Sequence, residues 1–280
     1  MKKILIIGLN SYIGDSFSNF LNQWPDLYQV DAVGTIENEW QTSSFVGYDA
    51  IYHVAGIAHQ KENKDNCKVY DEINRKLSIA VAEKAKVEGV RQFVFMSSMS
   101  VYGMDTGVIT SETVPHPKTY YGTSKLQAED ALKKLESDTF KITIIRAPMV
   151  YGKGCKGNFN SVREYVKSFP IFPKVSNKRS LIYIDNLCSF IKKTIDKELS
   201  GTFYPQNKEY VNTTEMARWI SEVMQKKIRF SSILGLGTKM ISPFIGKARK
   251  AFGTLIYKDL EIFDFDYCIV NNEDSIKRSI

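Results

Sequence analysis

The chain has 280 residues, 43% of them hydrophobic and 25% charged, which is the size of one large domain or two closely joined ones and excludes both disorder and collagen-like repeats. Its net charge is +7, but residues 4–60 hold no Lys or Arg and six acids (Asp15, Asp26, Asp31, Glu37, Glu39 and Asp49), so the rest of the chain carries +13. That balance suits a solvated surface or a phosphorylated ligand. No basic-aromatic run is dense enough to point to nucleic acid.

Lys3–Ile7 is an apolar run ending in Gly8 and reads as a buried parallel strand. Tyr12–Gln23 has apolar residues at helical spacing and is stopped by Pro25. Val30–Val33 and Ala50–Val54 are further strands. A long helical pattern runs from about Asp65 to Glu88 and ends at Gly89, a natural C-terminal cap. Gln92–Met96 is a fourth strand, Thr119–Leu135 a helix and Lys141–Ile145 a fifth strand. Strands alternating with helices predict βαβ units and a doubly wound parallel sheet, an α/β fold of Rossmann type.

After Pro148 the rhythm changes. Gly152, Gly154 and Gly157 mark a loop, Leu181–Ile184 a short strand, and Asp185 the N-cap of a following helix. Thr213–Gln225 is another helix, capped by Thr213 or Asn212. Ile233–Phe252 is apolar and basic, broken by Gly and Pro. A membrane-surface helix fits that pattern, but a packed C-terminal helix pair with snorkelling lysines is the reading preferred.

The apolar stretches fall short of the ~20 residues a membrane helix needs. The run behind Lys2 and Lys3 is too brief for a signal peptide, and no small-residue cleavage site follows. A cytoplasmic protein without membrane insertion is expected. Cys67, Cys155, Cys188 and Cys268 are scattered, and His53, His59 and His116 do not cluster with them. No metal site is expected, and the cysteines read as buried or idle thiols.

Three segments carry chemistry. Gly8-Leu-Asn-Ser-Tyr-Ile-Gly14 joins the first strand to the first helix, where glycines let a backbone approach a pyrophosphate and a helix start offers N–H groups to its charge. Tyr121 and Lys125 share one helix face, and an ammonium beside a phenol would lower the phenol's pKa from ~10 toward neutrality. Chance alone yields about one or two Tyr-xxx-Lys matches in such a chain. The other match, Tyr204 with Lys208, contains Pro205 and does not suit a helix interior. Ser97, Ser98 and Ser100 end the fourth strand, where hydroxyls point into a ligand crevice or serve turn chemistry.

Taken together, these segments resemble the extended short-chain dehydrogenase/reductases of the nucleotide-sugar epimerase/dehydratase group. The resemblance runs nearly end to end. It takes in the turn at 8–14, His53-Val-Ala-Gly56, Asn74, Ser97-Ser-x-x-Val-Tyr-Gly103, Tyr121-xxx-Lys125, Arg146-Ala-Pro-Met-Val-Tyr-Gly152 and Arg179-Ser-Leu-Ile-Tyr-Ile-Asp-Asn186, in order. It implies an NAD(P)-binding Rossmann domain over 1–155, with 179–199 returning to it, and a small substrate-binding part from 156–178 and 200–280.

The resemblance also implies roles. Tyr121 would be the acid/base, Lys125 would hold the nicotinamide ribose, and Ser98 would hydrogen-bond the reacting sugar oxygen, with Ser97 and Ser100 as the other candidates. Gly8, Asn10, Ser11, Tyr12, Ile13 and Gly14 would meet the pyrophosphate. Val54, Ala55, Gly56 and Pro148 would line the coenzyme groove, with Asn74 bracing it. Ser100, Asn158 and Arg179 would contact the UDP-sugar, Arg179 at its diphosphate. A homodimer built on the helices at 65–88 and 119–135 is a further expectation.

Three departures qualify the match. Ser11 replaces the usual middle glycine, and a modest change is expected. Gly34 stands where NAD-preferring members carry an acid, yet no nearby cation would receive a 2′-phosphate, so NAD is favoured over NADP. Met99 and Ser100 replace the Asp-Glu pair of 4,6-dehydratases, which argues against dehydration. The first expectation is therefore an oxidoreductase reducing a UDP-4-keto-6-deoxy-N-acetylhexosamine in bacterial surface-polysaccharide synthesis. Segments 150–159 and 179–186, and the shortened stretch between strands two and three, are similar to that subgroup. The alternative is a UDP-sugar 4-epimerase, an isomerase using the same half-reaction; the third is a non-catalytic dinucleotide-binding sensor.

Overall fold

Six parallel strands form the main sheet of the computed structural model, which describes residues 1–58, 62–63, 66–241, 246–260 and 263–280. In chain order they are β1 (Lys2–Ile7), β2 (Tyr28–Val33), β3 (Ala50–His53), β4 (Gln92–Ser98), β5 (Lys141–Ala147) and β6 (Gly201–Phe203). Their order across the sheet is β6-β5-β4-β3-β1-β2. Every neighbouring pair is parallel, with Ile7 opposite His53, His53 opposite Phe95 and Ser98 opposite Ala147. The register therefore brings the C-terminal ends of β1, β3, β4 and β5 to one edge, where a parallel sheet binds its ligands. The expected α/β Rossmann architecture is what the chain adopts.

The helices on this sheet are α1 (Tyr12–Leu21), α2 (Leu77–Val87), α3 (Tyr120–Lys133) and the later part of α4 (Ile184–Asp196). Alternation along the strands divides the core. Leu5, Ile7, Ile51, Phe93 and Phe95 pack with Val81, Ala82, Ala85, Ala128 and Leu132 of α2 and α3. The next residue along β3, Tyr52, points the other way and meets Phe17 of α1 edge-on at 5.1 Å. Each such fully buried side chain contributes about 1.5–3 kcal/mol.

Several element boundaries differ from expectation. The described part of the long helix begins at Cys67, and Asp65 lies outside the described residues, as does His59. Between Cys67–Tyr70 and α2 the run passes through a π turn, Asp71–Lys76. Such turns gather at functional sites. Asp185 is not an N-cap: the strand Leu181–Tyr183 ends a residue early, and α4 starts at Ile184 with Asp185 in its first turn. There its charge meets the positive end of the helix. Asn212, not Thr213, caps Thr213–Val223, accepting from Thr214 and Glu215 N–H.

Two compact units divide the chain. The first comprises Met1–Gly103, Val114–Ala147 and Cys188–Pro205; the second comprises Met104–Thr113, Pro148–Leu187 and Gln206–Ile280. The expected boundary near 155, with 179–199 returning to the first unit, is shifted: the division falls after Ala147, and the returning segment is 188–205.

The second unit has no large sheet among its described residues. It pairs three-residue strands from distant parts of the chain: Gly107–Ile109 with Leu255–Tyr257, Met149–Tyr151 with Leu181–Tyr183, and Ile171–Pro173 with Arg229–Ser231. Its core centres on Tyr151, which stacks on Phe159 at 5.3 Å. The expected C-terminal helix pair exists as Ser232–Ile241 and Gly246–Phe252, the residues between lying outside the described set. The packing expected for its apolar side chains is not found: Ile233, Leu236 and Met240 face solvent, because the buried side of the first helix is taken by Gly235.

Candidate active site

The turn after β1 is shaped around a missing side chain. Gly8 has φ +130°, and a Cβ there would lie 2.8 Å from Ala55 N and 2.9 Å from Val54 Cγ2. Only glycine allows that crossing. The N–H groups of Val54 and Ala55 both donate to Ile7 O, at 3.0 and 2.9 Å, fastening the two turns together. Asn10 follows in the left-handed region at φ +60°, where asparagine is among the better tolerated side chains. Ser11 then caps α1, its hydroxyl accepting from Gly14 N–H at 3.2 Å. The serine that replaces the usual glycine thus starts the helix, whose first residues are Tyr12 and Ile13. The first amides of a helix lack intrahelical partners and favour negative charge.

Gly56 forms the floor beside this turn. A Cβ on it would meet Asn74 Oδ1 at 2.8 Å and Lys125 Nζ at 3.3 Å. Asn74, buried in the π turn, accepts from Ile57 N–H at 2.9 Å and donates to Ile57 O at 3.1 Å and Ser124 Oγ at 3.2 Å. It ties the loop after β3 to α3. His53 stacks on Phe93 and Phe95, and its Nε2 lies 2.9 Å from Ser78 Oγ. Ser78 donates its own proton to Asn74 O, so the network assigns the imidazole proton to Nε2. Burial, with the charge on Lys125 adding to it, holds the His53 pKa down at about 3.

Ser98, Tyr121 and Lys125 come together at the end of β4. Thr119 caps α3 by accepting from Gly122 N–H at 3.0 Å. A side chain at Gly122 would meet Ser100 O at 2.6 Å, so the glycine after Tyr121 lets the helix lie on the turn that follows Ser98. The Ser98 hydroxyl neighbours the Tyr121 phenol and acts on its ionisation. Ser98 also donates to Ser100 Oγ and accepts from Ser100 N–H, both at 3.1 Å. Ser97 faces the opposite way, buried, and donates to Glu129. This separates the three serines: Ser98 reaches the phenol, Ser100 supports Ser98, and Ser97 is committed elsewhere.

One electrostatic expectation is overturned. The Tyr121 phenol lies above its ordinary pKa of 10, not below it: burial raises it, the neighbouring Ser98 hydroxyl lowers it and the charge on Tyr70 raises it. The Lys125 ammonium is turned to Met96 O at 2.8 Å and lies 4.6 Å from the Phe95 ring centroid. Burial brings its pKa down to about 8, against the opposing pull of Glu129.

Three carboxylates shape this region without any motif announcing them. Glu129 binds Arg146 through Nη2 at 2.6 Å and Nε at 3.1–3.2 Å, while Arg146 Nη1 donates to Tyr102 Oη at 2.8 Å. Burial works against the Arg146 charge, but Glu129 more than offsets it and keeps its pKa above the ordinary value. This pair locks the β4 and β5 ends and the Val-Tyr-Gly turn. Glu62 accepts from Tyr120 and Tyr121 N–H at 2.8 and 3.0 Å, placing a carboxylate on the start of α3. Glu39 Oε2 accepts from Gly34 N–H at 3.2 Å, so the end of β2, where the sequence has only glycine, receives an acid from five residues on. Spacing held one clue: Tyr121, Lys125 and Glu129 lie four residues apart on one helix face.

Pro148, Asn158 and Arg179 belong to the second unit. Asn158 is exposed at the start of Asn158–Ser168, after Gly157 at φ +101°. Arg179 Nη1 donates to Gly253 O at 3.2 Å and Asp105 O at 3.5 Å. Its guanidinium is shifted down by burial, with Asp105 opposing. Tyr204 and Lys208, the other Tyr-xxx-Lys match, lie outside any helix.

A dinucleotide fits the first unit. The Gly8 cradle, the capped start of α1 and the Gly56 floor share one sheet edge with the Ser98–Tyr121 pair. This is an NAD(P)-dependent enzyme of the short-chain dehydrogenase/reductase type. The description "NAD dependent epimerase/dehydratase family" matches residues 4–205, and the chain belongs to that family. A UDP-glucose 4-epimerase of Vibrio cholerae is 35% identical over 251 residues, covering 80% of this chain and 76% of its own length. The N-acetyl-alpha-D-glucosaminyl-diphospho-ditrans,octacis-undecaprenol 4-epimerase of Escherichia coli O157:H7 is 23% identical over 245 residues, covering 80% of this chain and 73% of its own length. A dTDP-4-dehydrorhamnose reductase from Bacillus anthracis, solved with NADP, superposes with a TM-score of 0.74 at 20% identity over 100% of this chain and 98% of its own. That last likeness is one of fold alone.

Proposed function

We propose that the chain is an NAD-dependent 4-epimerase acting on a hexose or N-acetylhexosamine carried on a diphosphate, with UDP-sugars as substrates. The observation that carries this reading is the meeting of Ser98 and Tyr121 at the sheet edge, with Lys125 one helical turn along the same helix. The names of the sequence relatives support epimerisation over the 4-keto reduction expected first. The acid at Gly34 supports NAD, because Glu39 would bond a ribose hydroxyl and repel a 2′-phosphate. No carboxyl stands at Met99 or Ser100, which argues against dehydration.

In this reading Gly8, Asn10, Ser11, Tyr12, Ile13 and Gly14 hold the coenzyme's pyrophosphate, and Val54, Ala55, Gly56, Asn74 and Pro148 line its groove. The bound nicotinamide supplies hydride exchange at sugar C4. Tyr121 takes the proton from the O4 hydroxyl and later returns it to the same oxygen. Ser98 holds that oxygen against the phenol. Lys125, with its pKa near 8, is the cation that offsets a developing phenolate and holds ribose hydroxyls. Asn158 and Arg179 hold the nucleotide-sugar.

The second reading is 4-keto reduction, favoured by the likeness of segments 150–159 and 179–186 to reductases of that type. Chromatography of reactions without added coenzyme separates the two. Interconversion of UDP-glucose and UDP-galactose, or of their N-acetyl counterparts, is expected, with loss of about 10²–10⁴-fold in Tyr121→Phe. The same assay on N-acetylglucosamine linked to a diphospho-polyprenol tests the carrier. Stoichiometric NADH oxidation with a UDP-4-keto-6-deoxy sugar, and no interconversion, would overturn the epimerase reading. Full activity in Tyr121→Phe would overturn both.

A further inference from the structure

The helix Ser232–Ile241 turns its apolar side outward. Ile233, Leu236 and Met240 are 84%, 63% and 69% exposed, and their i, i+3, i+7 spacing puts them on one face. Gly235, on the opposite face, is buried, and a Cβ there would lie 1.9 Å from Lys174 O. The helix is therefore seated by its backbone on the segment after Ile171–Pro173, and its orientation is the reverse of a core-facing amphipathic helix. The adjoining segment exposes Phe169 and Ile171 as well. Lone exposed apolar residues are ordinary, but a row of them beside a second exposed pair marks a contact surface.

The charge around this row says what kind. Residues 223–258 contain eight Lys or Arg and no Asp or Glu. Arg249 and Lys250 pair with Asp105, and the Lys226 ammonium rests on Lys167 O. Lys174, Lys227 and Arg229 are exposed on the segments that adjoin the helix. A second copy of the chain docking by this face would bring like charge against like charge, which is costly. An anionic bilayer answers both features, taking the apolar row at the acyl boundary and the cations at its headgroups. No helix among the described residues is long and apolar enough to cross a membrane, so contact is with the surface.

We propose that Ser232–Ile241 is a surface anchor that lies in the interface of an anionic bilayer, with Ile233, Leu236 and Met240 buried in lipid and Lys174, Lys227 and Arg229 on headgroups. This holds whichever reaction the first unit catalyses. The test is co-sedimentation of the full chain with phosphatidylglycerol-containing vesicles and with phosphatidylcholine vesicles. Binding to the anionic vesicles is expected, falling at least ten-fold on phosphatidylcholine and in high salt. Ile233→Asp with Met240→Asp should reduce it about ten-fold or more without changing circular dichroism or turnover of a soluble UDP-sugar. Lys227→Gln with Arg229→Gln should weaken binding to anionic vesicles about five-fold. No vesicle binding, or equal binding by wild type and Ile233→Asp/Met240→Asp, would overturn the proposal. So would a dimer in sedimentation velocity that this double variant dissociates, since the face would then belong to a second copy.

Discussion

The two compact units are held together by different means. In the first, strands of four to seven residues make continuous backbone ladders, β6 excepted, and apolar side chains close both faces. In the second, the strands are three residues long and asparagines do much of the joining. Asn207 alone accepts from Tyr183 N–H and Asn186 Nδ2, both at 3.0 Å, and donates to Tyr151 Oη at 2.9 Å and Asn272 Oδ1 at 2.8 Å. Asn186 also reaches Val270, and Asn212 reaches Val175 and Asn177. Backbone ladders tolerate changes of side chain; side-chain bridges do not. The first unit should thus be robust except at the buried Arg146–Glu129 ion pair, and the second fragile at each bridging asparagine.

The sharpest way to break this contrast is at Arg146. Arg146→Met leaves Glu129 buried without its cation, and a loss of about 3–5 kcal/mol is expected in denaturant unfolding. A loss under 1 kcal/mol would mean the pair is not what locks β4 to β5. Next comes Asn207→Ala, which strands several buried groups at about 1–3 kcal/mol each. Hydrogen exchange should rise around Tyr183 and Asn272 while β1 and β4 keep their protection. Equal loss in both units would refute the contrast.

A third test uses pH. The folded-state pKa of His53 is about 3 against 6.5 for the ordinary imidazole. Between those values the unfolded chain binds the extra proton, so stability falls as pH falls below about 6.5. About 2 kcal/mol should go between pH 7 and pH 5, and His53→Gln should flatten that limb of the stability profile. The smallest effect concerns the coenzyme. Glu39→Gln should lower the preference for NAD over NADP about ten-fold, or ~1.4 kcal/mol, in paired binding titrations. An unchanged ratio would show that the acid at Gly34 does not read the ribose.

The legible parts of the site are those contained in one turn or one helix. The glycine turn at 8–14, the serines after β4 and the Tyr121–Lys125 spacing each lie within a few residues, so the chain's local geometry carries them. Glu62 was invisible because it reaches Tyr121 from 59 residues away. Helical spacing put Lys125 on the Tyr121 face but could not reveal that its ammonium bonds Met96 O. The same limit applied to 233–252: composition marked an apolar and basic stretch and a packed helix pair was expected, and only the seat at Gly235 showed which side of Ser232–Ile241 turned outward.

Alternating apolar strands and helices in residues 2–147 suffice to imply the parallel sheet and the edge that carries its site, because strand and helix periods and turn glycines act over a handful of residues. Folding in three dimensions decided which of three neighbouring serines meets the phenol, which carboxylates reach Arg146, Gly34 and the start of α3, and how the second unit joins its scattered segments. Hydroxyls, carboxylates and amides are interchangeable along a chain. Only distance and burial, set by the packed whole, tell one from another.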